Sequence, residues 1–149
     1  MATTISRLDT RELRAWRGML RVHAQLSKAL DAQLLAEHAL PLSSYEVLMY
    51  LSDADNGRMR MNELAASVLL SRSGLTRLVD RLEREGYLER CSCAHDARGA
   101  FAVLTRAGRE KVEAARATHL AGVRELFLSR FSSDELEVLG DAWDRVLGL

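Results

Sequence analysis

Between Gly86 and Thr105 the spacing of apolar residues leaves a helical rhythm for an extended one, and it returns only afterwards. On the N-terminal side Leu75, Leu78, Val79 and Leu82 recur at threes and fours, the repeat of one buried helix face. From Tyr87 to Ser92 and from Ala100 to Leu104 the period is two, and the polar stretch Cys93 to Gly99 joins the two runs as a hairpin with a long tip. Thr105 then opens a second long helical repeat. A single hairpin inside a helical chain excludes sandwiches and barrels, which need many strands. The expected class is mainly α with a small β-hairpin wing.

The 149 residues are 48% hydrophobic and 28% charged, with one proline, so the chain is one domain long and can bury a core. Disordered, collagen-like and linker readings are excluded on that composition. No stretch approaches the ~18 uncharged apolar residues of a membrane span, and the start, Met1 to Arg7, has no apolar export segment. A cytoplasmic protein without a membrane partner is expected. Two cysteines are too few for a disulfide scaffold. The total charge is zero, yet residues 58–106 hold nine arginines against six acids, a local excess of +3. Such a patch suits a polyanion even on a neutral chain.

Residues Asp9 to about Ala39 read as a long helix opened by an Asp-x-x-Glu capping box, with Leu13, Trp16, Leu20, His23, Leu30 and Leu34 along one stripe. At ~45 Å it outruns one small core, so part of the stripe should meet another chain. Pro41 ends it. Ser43 to Glu46 offers a second capping box, followed by a short helix, a turn at Asp53 to Gly57, an extended piece at Arg58 to Arg60, and a helix from about Asn62, its candidate N-cap. Ser71 caps a helix to about Glu85, with Gly86 as its left-handed terminator. A long helix from Thr105 to about Arg130 and a last one capped at Ser132 complete the order.

Two short helices joined tightly, the second running into a hairpin, make a winged helix-turn-helix, a unit that lays its second helix in the major groove. If Leu75, Leu78, Val79 and Leu82 face inward, the 100° step puts Ser73, Arg77, Asp80 and Arg84 outward, with Thr76 and Arg81 flanking. Ser71, Arg72, Ser73, Thr76 and Arg77 gather hydroxyls and guanidinium groups at a helix start whose dipole favours phosphate. Asp80 would be repelled by phosphates and is expected to align Arg77 or Arg84, both within one turn.

The run Leu64-Ala65, Ser71 through Glu83, Gly86-Tyr87-Leu88, Arg90, then Asp96-Ala97-Arg98 with Leu104-Thr105 and Gly108 resembles the MarR family of bacterial transcriptional regulators. The resemblance implies a homodimer built from the N- and C-terminal helices (9–40 and 106–149) around a winged DNA-binding part (43–105). It implies binding of double-stranded DNA at pseudo-palindromic promoter sites, usually as a repressor released by a small ligand or an oxidant. Arg98 is then the wing arginine entering the minor groove and Asp96 the residue shaping the wing tip. A narrow groove concentrates negative potential, and arginine sheds water readily enough to enter it.

Cys91, Cys93 and His95 form at most a partial metal set, so they read as small residues on a wing strand; metal or redox sensing is the competing role. His23 and His119 lie on apolar stripes and read as packing residues. With Trp16, Arg17, Tyr45 and Met49, both could instead line a cleft for an aromatic or phenolic anion. No phosphate loop, nucleophile elbow or paired catalytic carboxylate stands out, so neither enzymatic activity nor a cofactor is expected. A helical protein–protein adaptor without DNA binding is the remaining alternative.

Overall fold

The computed structural model describes residues 7–68, 70–92 and 99–149. Helix α1 (Thr10–His38) starts on the expected box: the Asp9 carboxylate accepts from the Glu12 N–H at 2.9 Å, and the Glu12 carboxylate accepts from the Asp9 N–H at 2.7 Å. It stops at Ala39, whose φ is 50°. Helix α2 (Leu42–Asp53) departs from expectation at its start. Pro41 is its N-cap and supplies no side-chain bond, whereas Asp31 of α1 accepts from the Leu42 N–H at 2.8 Å. Ser44, expected within a capping box, lies inside the helix and is fully buried. A neighbouring helix thus takes the capping role.

The turn at Asp55–Gly57 leads into β1 (Arg58–Arg60), and α3 (Met61–Ser67) follows directly. Asn62 is not its N-cap, because the helix begins one residue earlier and the Met61 N–H donates to the Ala100 carbonyl at 3.0 Å. Helix α4 (Arg72–Arg84) is capped by Ser71 as expected, and Gly86 takes φ 82° just after it. Strands β2 (Leu88–Cys91) and β3 (Phe101–Leu104) pair antiparallel, with Leu88 opposite Leu104 and Cys91 opposite Phe101. The extended piece read at residues 58–60 is a true third strand on the other edge of β3, giving the order β1-β3-β2.

Thr105 caps α5 (Arg106–Leu126), which ends four residues before the expected Arg130; Leu128–Arg130 forms a separate tight turn. Helix α6 (Ser133–Leu147) opens on the expected capping box at Ser132. The start of α5 sits hard against the hairpin base: a Cβ on Gly108 would lie 2.0 Å from the Tyr87 carbonyl oxygen, so only glycine fits. The Thr105 hydroxyl donates to the Gly86 carbonyl at 2.7 Å in the same joint.

One core joins α1, α2, α3, α4, the sheet and α5 through Leu34, Leu48, Leu64, Leu82, Ala102 and Val112. Its reach along α1 is short. Leu34 is the one buried residue of that helix, Trp16 is 55% exposed, and α6 buries none of its residues. No helix among the described residues is long and apolar enough to cross a membrane.

Candidate nucleic-acid interface

Leu75, Leu78, Val79 and Leu82 are all buried, so α4 presents its opposite face by necessity. Ser71, Arg72, Ser73, Thr76 and Arg77 are exposed together at its N-terminal end. The Ser71 hydroxyl accepts from the Gly74 N–H at 3.1 Å and lies 3.2 Å from the Ser73 hydroxyl, while the Thr76 hydroxyl donates to the Arg72 carbonyl at 2.8 Å. Arg72 and Thr76 also line a cavity of about 210 Å³ between α3, α4 and the segment leading into β3 at Gly99 and Ala100. Hydroxyls, cationic side chains and the capped start of a helix therefore share one surface.

Arg81 is placed differently. It is half-buried and donates to the Ser44 hydroxyl at 2.8 Å, tying α4 to α2 rather than flanking the exposed row. Asp80 does align an arginine, but the partner is neither Arg77 nor Arg84. It is Arg90 of β2, which bonds Asp80 and reaches Glu83 at 3.6 Å. Arg98 and Asp96 lie outside the described residues, as do Cys93 and His95. Cys91 is exposed at the end of β2, and no group of three metal-ligating side chains occurs among the described residues.

Sequence reasoning did not single out Arg58 and Arg60. Their guanidinium carbons lie 4.1 and 4.6 Å from the Phe101 ring centroid, a stack on the outer face of the sheet. The signal was present as alternate arginines in an extended segment, but the ring that gathers them is some forty residues away in sequence.

The residues expected to line an effector cleft are divided. Tyr45 and Met49 border a cavity of about 190 Å³ with Glu46, Tyr50 and His119. The Tyr45 and His119 rings are 4.6 Å apart, and burial holds the His119 pKa below its ordinary value. Burial raises the Glu46 pKa, opposed by the charge of nearby His23. Trp16 is exposed, and Arg17 lines a separate hollow on the N-terminal half of α1. His23 lies in a larger apolar groove of about 950 Å³, where Met19, Val22 and Leu26 face Phe131, Leu139 and Trp143.

The MarR family matches residues 40–99 of the chain. AbsC, a MarR family transcriptional regulator from Streptomyces coelicolor, is 33% identical over 96% of both chains, with a TM-score of 0.90. Sco3205, a MarR family transcriptional regulator from the same organism solved in complex with DNA, is 32% identical, with a TM-score of 0.89, over 95% of this chain and 92% of its own. The HTH-type transcriptional repressor YetL of Bacillus subtilis (strain 168) is 24% identical, covering 97% of this chain and 88% of its own length.

Proposed function

The chain belongs to the MarR family of DNA-binding transcriptional regulators, and on that premise we propose that it acts as a homodimeric repressor on a pseudo-palindromic promoter site. The observation that carries this reading is the row Ser71, Arg72, Ser73, Thr76 and Arg77, exposed at the capped start of a helix whose other face is buried. Phosphate contacts supply most of the affinity of such a surface, and side chains that reach base edges supply the discrimination. Ser73, Thr76 and Arg77 are the proposed readers, Arg98 the minor-groove arginine and Asp96 the residue shaping its loop. The DNA complex of Sco3205 supports the partner, and the naming of YetL supports the sign of regulation.

A homodimer is supported by the apolar surface that α1 and α6 leave uncovered, with Val146 76% exposed. The dimerisation helices are proposed as residues 9–40 and 106–149, and two-fold symmetry places the half-sites about 10 bp apart. The proposed signal is a small aromatic or phenolic ligand, supported by the tilted ring contact of Tyr45 with His119 beside Met49. Trp16, Arg17 and His23 do not border that cavity, so the ligand reading rests on Tyr45 and Met49.

Titration with duplex DNA at two salt concentrations tests the function. Neutralising several phosphates releases counterions, so affinity should fall steeply as salt rises. A protein–protein adaptor shows no such dependence. Arg98→Ala should weaken binding at physiological salt without altering the fold; unchanged affinity removes the wing from the interface.

A further inference from the structure

The groove-facing helix carries two acids where phosphates would repel them. Asp80 and Glu83 sit one turn apart on α4, with side chains 48% and 43% exposed. A single guanidinium lies between them: Arg90 bonds the Asp80 carboxylate through one terminal nitrogen, and its Nε is 3.6 Å from Glu83. The register explains its direction. Arg90 pairs with Ala102, which is fully buried, so both leave the sheet on the face turned toward the body of the protein. Arg90 is also the penultimate residue of β2, close to where the hairpin leaves that body.

An ion pair this exposed contributes little to folding on its own, because water screens it. Its geometry has a different consequence. The fork joins the C-terminal half of α4 to the outer end of the first wing strand, two elements whose chain connection is only the turn at Gly86. It also offsets one of the two negative charges that Asp80 and Glu83 bring to α4.

We propose that Arg90 is a positioning residue for DNA recognition: by clasping Asp80 and Glu83 it offsets one of their two charges and holds the wing at a set distance from α4, so that both enter their grooves together. This rests on the reading of α4 as the groove helix. Arg90 itself touches no DNA in this arrangement. The two effects can be separated, since neutralisation acts on any duplex and spacing acts only on discrimination.

The test compares Asp80→Asn, Arg90→Gln and the double variant with the wild-type chain on two probes. One is a duplex enriched by the wild-type protein from a random 30-base-pair pool, a length of about three helical turns. The other is the unselected pool. Unfolding midpoints should stay close to wild type in all variants. On unselected duplex, Asp80→Asn should bind more tightly, Arg90→Gln more weakly, and the double variant near wild type, following net charge. The ratio of selected to unselected affinity should fall about tenfold in all three, the size of coupling typical of contacting charged groups. An unchanged ratio in Asp80→Asn overturns the proposal, including the case in which only Arg90→Gln loses it, which makes Arg90 a direct contact. A ratio restored in the double variant leaves only charge masking and also overturns it. Wild-type protein that enriches no sequence and binds without salt dependence overturns the reading of α4 itself, and this inference with it.

Discussion

Arg77 and Arg81 lie one helical turn apart and end in different surroundings. Arg77 projects from the exposed row, whereas Arg81 folds against α2 and donates to Ser44, whose residue is fully buried. Their truncations should therefore diverge. Arg77→Ala should relax preference at one base position by about 1–3 kcal/mol with stability unchanged, if it reads a base. A uniform loss on every sequence would assign it to phosphate. Arg81→Ala should leave the Ser44 hydroxyl without this partner and cost about 1–3 kcal/mol of stability in denaturant titration.

The His119 ring, in tilted contact with Tyr45, makes a pH prediction of definite sign. Its pKa is lowered by burial, so the unfolded chain takes up the proton first. Stability should fall as pH drops through the ordinary histidine range and return above it. Glu46, raised by burial, works in the opposite sense further toward acid, where the folded chain protonates first. Unfolding midpoints from about pH 7.5 to about pH 5.5 should fall more steeply in wild type than in His119→Phe. Parallel curves would remove His119 from the effect.

Among the elements, α4 does two things with one cap. Ser71 ends the exposed row and also satisfies the Gly74 N–H. Two substitutions separate the roles. Ser71→Ala should lose about 1 kcal/mol of stability with the cap. Ser71→Asp keeps a good cap but brings an anion to the surface meant for phosphates, so its unfolding midpoint should hold while DNA affinity drops. Equal affinity in Ser71→Asp and wild type would move the DNA contact away from this helix end. The caps at Asp9, Ser71, Thr105 and Ser132 were legible because donor and acceptor lie three residues apart in sequence. Those at α2 and α3 were not, because Asp31 and the Ala100 carbonyl arrive from distant segments.

For the molecule as a whole, the uncovered surface is the main feature. Met19, Val22 and Leu26 of α1 face Phe131, Leu139 and Trp143 across a groove of about 950 Å³, an area a single chain leaves wet. Removal of residues 1–30 should give an unstable or monomeric protein; a stable dimer in sedimentation would overturn the interface assignment. Trp143→Lys, a milder change on a 41% exposed residue, should shift the chain toward monomer while the winged part stays folded. DNA affinity should fall with it, because two half-sites bound together gain from their linkage.

Apolar spacing alone was enough to place the helices, the hairpin and the outward face of α4, since each of these depends on residues within a turn or a strand of one another. The family resemblance rested on short local runs for the same reason, Ser71 to Glu83 together with Asp96-Ala97-Arg98 and the Leu104-Thr105 that follows. Folding settled what spacing cannot express: that Asp80 meets Arg90 and not Arg77, that Arg81 turns to Ser44, and that residues 58–60 join the wing sheet. Those outcomes hinge on which distant side chain arrives within a few ångströms, and that distance is set by packing of whole elements around the core.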